Sequence, residues 1–167
     1  KVVVVDLDLG GANLHTTLGV HLPKQTLNDF FTHRETQISK LVTPTGIPNL
    51  AMISGAQDSV GVANLRHEQK VEFLQKLREL DADYLVFDLG AGTSSNTLDF
   101  FLYADLGMVC LLPEPTSIEN GYRFIKSAYY RRLRLARNLE PVHHLIDMAM
   151  DAKNSLGIKS PSDPVSY

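Results

Sequence analysis

The sequence predicts an α/β fold, a mostly parallel sheet with helices on both faces. Three observations predict it. First, apolar runs of strand length recur at residues 2–5, 50–53, 84–87 and 108–112. Unbroken apolar runs suit strands covered on both faces, as in parallel sheets. Second, segments of helical period separate them, so strand and helix alternate and right-handed crossovers follow. Third, the runs at 2–5, 84–87 and 108–112 end in polar turns rich in Asp, Gly or Pro. That topology places such turns along one sheet edge, where open α/β sheets bind ligands.

In order, Val2-Val3-Val4-Val5 is a β-branched run that reads as a buried parallel strand. It ends in Asp6-Leu7-Asp8-Leu9-Gly10-Gly11-Ala12-Asn13, and Gly19 and Pro23 keep the next helix short. Thr26 is a natural N-cap for a helix carrying Leu27, Phe30 and Phe31. Residues 43–49 read as loop, punctuated by Pro44, Gly46 and Pro48. Residues 50–53 form a short strand closed by Ser54-Gly55, and 58–64 read as loop. Residues 65–80 read as a helix with Val71, Phe73, Leu74, Leu77 and Leu80 on its apolar face and Lys70, Lys76 and Glu79 on its polar side.

The strand at 84–87 runs into Asp88 and the loop Gly90-Ala91-Gly92, after which a helix starts near Ser95 or Asn96. Met108 to Leu112 is expected to be the next buried strand, with Cys110 packed in the core. A long helix then runs to about Asn138, capped by Thr116 or Ser117. Ile118, Tyr122, Ile125, Tyr129 and Leu133 are its expected core stripe. Pro141 opens another helix, and residues 154–167 read as loop or frayed end.

The chain has 167 residues, 44% apolar and 21% charged, with a net charge of −3. That suits one globular domain, and nothing global argues for nucleic acid. One cysteine, Cys110, excludes an internal disulfide and fits a reducing compartment. No apolar run reaches the roughly 18 residues of a membrane span, and no signal-peptide pattern is present. Lys1 has no Met before it and leads straight into the valine run, so the expected start lies inside a domain.

The chemistry concentrates at two strand ends. Asp6 and Asp8 flank one residue after the first strand, and Asp88 ends the central one. If those strands neighbour each other, three carboxylates converge, which favours a cation or a raised pKa. Magnesium bound by one or two carboxylates plus substrate phosphates fits. The plainer alternative is that each Asp caps the turn after it. Gly90 and Gly92 let backbone approach a ligand. A dinucleotide fingerprint would need Gly or Ala at 95, where Ser95 stands.

Arg123, Lys126, Tyr130, Arg134 and Arg137 form a stripe on the long helix, with Arg131 and Arg132 beside it, either a solvated face or a contact for an anionic surface: nucleic acid, lipid or an acidic partner. Adjacent His143 and His144 make a poor metal pair. Gly157-Ile158-Lys159-Ser160 echoes the end of a phosphate loop but lacks the strand and glycines before it.

Two resemblances follow. Residues 2–8 are similar to the first motif of haloacid-dehalogenase-like phosphatases, which would make Asp6 a nucleophile and Asp8 a general acid, with Ser54 in the second motif. That family carries Thr or Val where Gly10 stands, and no lysine sits in a convincing third motif.

The fuller resemblance is to the MinD/ParA family of P-loop ATPases, nearest its flagellar-number branch, FlhG or FleN. Residues 5–14 resemble its switch I block, residues 87–92 its Walker B strand and switch II, and residues 113–118 the block after the next strand. By that resemblance the fold is a P-loop NTPase core, and residues 1–167 are a single, truncated nucleotide-hydrolase domain. Asp8 would position or activate the attacking water. Asp88 would hold Mg2+, directly or through water, with Asp6 supporting it. Gly90 would sense the γ-phosphate, and Gly10, Asn13 and Gly92 would lie near the nucleotide. Glu114 and Ser117 would lie near the interface of a nucleotide-sandwich dimer.

The resemblance also implies ATP as substrate, a nucleotide-dependent homodimer, an activating protein partner, and a cytoplasmic protein peripheral to the inner membrane. The family's KGGVGK[ST]-type Walker A loop, and the strand that carries it, stand nowhere in these residues. The expectations are weak ATP binding by this chain alone and a rearranged or partner-completed sheet. A non-catalytic interaction module of the same fold is the alternative.

Overall fold

The computed structural model describes residues 1–9, 11–21, 23–55 and 65–135. Contacts divide the chain into two compact units, Lys1–Phe100 and Phe101–Tyr167.

The first unit is built on a four-stranded sheet in the order β2-β3-β1-β4. These strands are β1 (Val2–Asp6), β2 (Val42–Pro44), β3 (Leu50–Ile53) and β4 (Tyr84–Asp88). β1 pairs parallel with β3 and with β4, so the predicted parallel core is present. β2 adds antiparallel to β3, in a segment read as loop. Its Pro44 is tolerated because an edge strand need not donate on its outer side.

The helices of this unit follow their local signals. α1 (Leu14–Thr17) is one turn long and gives way to Gly19 at φ +65°. α2 (Leu27–Phe31) starts at a reciprocal capping box: the Thr26 hydroxyl accepts from the Asn28 amide, and Asp29 accepts from the Thr26 amide. α3 (His67–Arg78) buries Phe73, Leu74 and Leu77, whereas Val71, expected on the same face, is exposed and Lys70, expected on the polar side, is buried. The core is aromatic at its centre, where the Phe73 ring lies 5.7 Å from Phe30, 5.2 Å from Phe31 and 6.0 Å from Phe100. α4 (Ser95–Tyr103) begins behind Ser94, whose hydroxyl accepts from the Thr97 amide. Lys70 is buried and reaches Asp99 at 2.6 Å.

The sheet is not covered equally on its two faces. Val3 and Val5 are buried, while their alternates Val2 and Val4 are half-buried. Tyr84 and Val86 of β4 are 69% and 47% exposed. The central strand was expected to be covered on both faces; one face is open.

The second unit is dominated by α5 (Pro115–Leu135), which buries Gly121, Ala128 and Tyr130. Two expectations fail here. Residues 108–112 form no strand: Met108, Leu111 and Leu112 are 79%, 49% and 62% exposed, and Cys110 is exposed rather than core. A strand needs a ladder partner, and no pairing to this segment occurs among the described residues. The predicted core stripe is also uncovered, with Ile118, Tyr122 and Ile125 more than half exposed. The helix begins at Pro115, a favoured first position. The Ser117 hydroxyl accepts from the Leu112 amide instead of capping the helix. Residues 58–64, the expected helix from Pro141, His143, His144, Arg137 and residues 154–167 lie outside the described residues.

Candidate nucleotide-hydrolase site

Register builds the site. β1 and β4 run parallel with Val2 opposite Tyr84 and Asp6 opposite Asp88. Two carboxylates therefore stand at one level on neighbouring strands, at the carboxyl edge of the sheet. The chain continues from β1 under the hold of β4, since the Leu7 amide donates to the Asp88 carbonyl at 2.8 Å. Leu7 and Leu9 are buried, which leaves Asp8 between them facing the other way.

Asp8 is half-buried against glycine. A Cβ on Gly90 would fall 2.7 Å from Asp8 Oδ1, and one on Gly11 would fall 3.1 Å from Oδ2. The carboxylate of the first strand's loop and the glycine loop after β4 thus meet directly. Gly92 adopts φ +93°, a conformation that favours glycine.

The electrostatics agree with this convergence. Burial raises the Asp88 carboxyl above its ordinary range, and the Asp8 charge adds to it. Burial also raises Asp6; hydrogen bonds from the Leu14 and Asp8 amides oppose the shift, and repulsion from Asp88 and Asp8 reinforces it. Like charges held this close favour a cation among them.

The predicted residues divide into groups. Asp6, Asp8, Asp88 and Gly90 are brought together at the β1–β4 edge. Asn13 is exposed at the start of α1, its side chain making no capping bond. Glu114 and Ser117 belong to the second unit, at the start of α5. Gly10 lies outside the described residues. Asp6 differs from expectation in its accessibility: it is 1% exposed, and each oxygen accepts a backbone amide. It cannot serve as a phosphatase nucleophile, which needs a free oxygen facing substrate. Ser54, the second-motif candidate of that reading, is fully buried too.

Two residues escaped the sequence reading. Gly11 forms part of the Asp8 seat, and the Gly-Gly doublet after the aspartates was its signal. Gly55 lets Ala12 sit against β3, since a Cβ there would fall 2.6 Å from that of Ala12.

Mg2+ takes hard oxygen ligands and binds through one or two carboxylates, with waters and substrate phosphates completing the shell. Asp88, at the end of β4, is placed to supply one. Among the described residues, no three acidic or imidazole side chains are grouped to hold a metal by themselves.

On the basic stripe, Arg123 pairs with Glu119 and Lys126 lies 5.8 Å from the Tyr130 ring centre, so part of its charge is engaged within the helix. Among the described residues, no helix is long and apolar enough to cross a membrane.

No protein-family model matches the chain. It is 32% identical over 127 residues to the antiactivator FleN of Pseudomonas aeruginosa, covering 75% of this chain and 45% of FleN. It is 29% identical over 149 residues to the septum site-determining protein MinD of Helicobacter pylori, covering 87% of this chain and 54% of MinD. The chain thus spans about half the length of the curated relatives it matches.

Among solved structures, a ParA family ATPase from Chlorobium tepidum superposes with a TM-score of 0.62 at 18% identity, over 75% of this chain and 53% of that one. MinD of Pyrococcus horikoshii, complexed with Mg-ADP, gives 0.56 at 22% identity, over 72% of this chain and 49% of that one. These likenesses establish the fold as that of P-loop ATPases.

Proposed function

The chain belongs to the MinD/ParA family of ATPases, of the FleN type, and from that premise we propose that it carries the switch half of an ATP-hydrolysing site. The whole protein would dimerise with nucleotide, respond to an activating protein partner and position cellular machinery. The single observation that carries this reading is Asp8 seated against Gly90, with Asp88 opposite Asp6 in the next strand.

Phosphoryl transfer asks a protein mainly for positioning and charge stabilisation. Asp8, on a loop tethered to β4, is placed to accept a hydrogen bond from an attacking water and fix its direction. Gly90 packs on that carboxylate, so movement of the glycine loop around a γ-phosphate would be felt at Asp8. Asp88 is the residue to hold Mg2+, which when bound would neutralise charge on the phosphates. A MinD of the same fold is complexed with Mg-ADP, which supports a magnesium nucleotide as the kind of ligand. Glu114 and Ser117 would serve the dimer interface, and Arg123, Lys126 and Arg134 an anionic surface.

The lysine-bearing phosphate loop of such enzymes is not among these 167 residues. The reading therefore assigns the phosphate cradle to the full-length protein. Calorimetric titration of ATP with Mg2+ tests it. The full-length protein is expected to bind, and the 167-residue chain to bind weakly or not at all. Micromolar affinity in the chain itself would remove the need for the cradle. Failure of both would favour a non-catalytic interaction module, a reading the exposed apolar stripe of α5 also suits.

A further inference from the structure

Asp6 occupies the last position of β1 and is 1% exposed. Its Oδ1 accepts the Asp8 amide at 3.2 Å and its Oδ2 accepts the Leu14 amide at 3.0 Å. Those two amides stand at opposite ends of the segment that joins β1 to α1. One buried carboxylate therefore ties both ends of the Asp8 loop to a single point on the sheet. The middle of the loop is seated independently. Leu7 and Leu9 are buried, and Ala12 rests where a Cβ on Gly55 would come within 2.6 Å of its own. The Gly55 position is also tight against Asp6 itself, 2.9 Å from its carbonyl oxygen and 3.3 Å from Cγ. Sheet, carboxylate and loop form one packed unit, and Asp8 meets Gly90 because of it.

We propose that Asp6 is the positioning residue for Asp8: it shapes the loop that presents Asp8 to the reacting phosphate, and it is not a magnesium ligand. Each oxygen already accepts a backbone amide, and the side chain is 1% exposed. Hydrogen bonds to a charged acceptor are about twice as strong as neutral ones, so the carboxylate's orientation is set by the loop it holds. An asparagine of the same shape keeps one carbonyl oxygen but turns an amide donor toward the second backbone N–H. It leaves that N–H buried without an acceptor. The loop end, and with it Asp8, then loses its anchor.

This assignment rests on the reading of Asp8 as the group that orients the attacking water, and the test separates the two. In the full-length protein, Asp6→Asn is compared with Asp8→Ala and wild type. The readouts are kcat, the KM for ATP, the Mg2+ concentration giving half-maximal activity, and amide hydrogen exchange at Asp8 and Leu14. For Asp6→Asn we expect kcat to fall about tenfold or more, with ATP KM and the Mg2+ midpoint within about twofold of wild type. Exchange at Asp8 or Leu14 should quicken. A Mg2+ midpoint raised about tenfold with unchanged exchange would overturn the proposal and make Asp6 a metal ligand. Unchanged exchange at both amides would overturn it whatever the activity.

If Asp8→Ala hydrolyses ATP normally, the water-orienting reading fails. Exchange in Asp6→Asn then still decides whether the carboxylate anchors the loop. Should Asp6→Asn not fold, Gly55→Ala disturbs the same seat from β3. It is expected to lower kcat with the Mg2+ midpoint unmoved, and an unchanged kcat would count against the loop's positioning role.

Discussion

α3 and α5 carry the same kind of sequence signal and meet opposite fates. Each has apolar residues at helical spacing. In α3, Phe73 and Leu77 are 0% and 1% exposed, packed among Phe30, Phe31 and Phe100. In α5, Ile118, Tyr122, Ile125 and Tyr129 are 55%, 58%, 55% and 43% exposed, while small Gly121 and Ala128 are buried. The spacing fixes only which residues share a face. Whether that face is buried depends on what the rest of the fold sets against it. The aromatic cluster of the first unit supplies a partner for α3. The segment expected to form a strand before α5 forms none.

The sharpest way to break the contrast is to empty the covered side. Phe73→Ala should cost about 3–5 kcal/mol, a lost transfer term plus a cavity among three other phenylalanines. Denaturant titration of the chain measures it, and a cost below about 1 kcal/mol would mean that the α3 face is not packed as described.

A comparable loss is expected from Asp99→Ala. Lys70 and Asp99 are 7% and 15% exposed in their side chains, and removing one partner strands a buried charge. Such losses run to about 3–5 kcal/mol. Lys70→Met leaves the Asp99 carboxylate without its lysine and should cost a comparable amount, while the double variant should cost less than the sum of the two; strictly additive losses would deny the pairing.

A smaller effect belongs to the start of α2. Thr26→Ala removes one half of its capping box and should cost about 1 kcal/mol.

The uncovered side should be nearly silent: Ile118→Ser and Ile125→Ser should each stay within about 0.5 kcal/mol of wild type. A loss of 2 kcal/mol or more would show that the stripe is covered in solution.

The acid pair offers a pH-dependent counterpart. Asp88 holds its proton more tightly in the folded than in the unfolded chain, because of burial and the Asp8 charge. Its contribution to stability is full below the ordinary carboxylate pKa and is lost as pH rises through the raised value. In the metal-free chain, Asp88→Asn should therefore flatten a decline in stability above the acid range. A steeper decline would reverse the sign of the argument.

Local chemistry was legible in the sequence. The Thr26 cap, the breaks around Gly19 and the period of α3 are written within a few neighbouring residues, and the structure follows them. That two strands end in aspartate was legible as well; that they are neighbours, which sets Asp6 opposite Asp88, entered only as a condition and is supplied by the sheet. What was not legible depends on distant partners. β2 exists because β3 offers an edge, so Thr43 and Pro44 alone read as loop. Residues 108–112 have a strand's composition and no ladder to join among the described residues, and Cys110 is exposed for the same reason. The role of Asp6 was hidden because its second partner is the Leu14 amide, and Gly55, which seats the loop between them, comes from another strand.

Hydrolysis of Mg-ATP by the full-length protein carrying Asp8→Ala tests the central claim most directly. If Asp8 orients the attacking water, the variant binds Mg-ATP with near wild-type affinity and its kcat falls about 100-fold or more. Hydrolysis at the wild-type rate with binding intact would contradict the account, and would move the chemistry away from the edge where β1 meets β4.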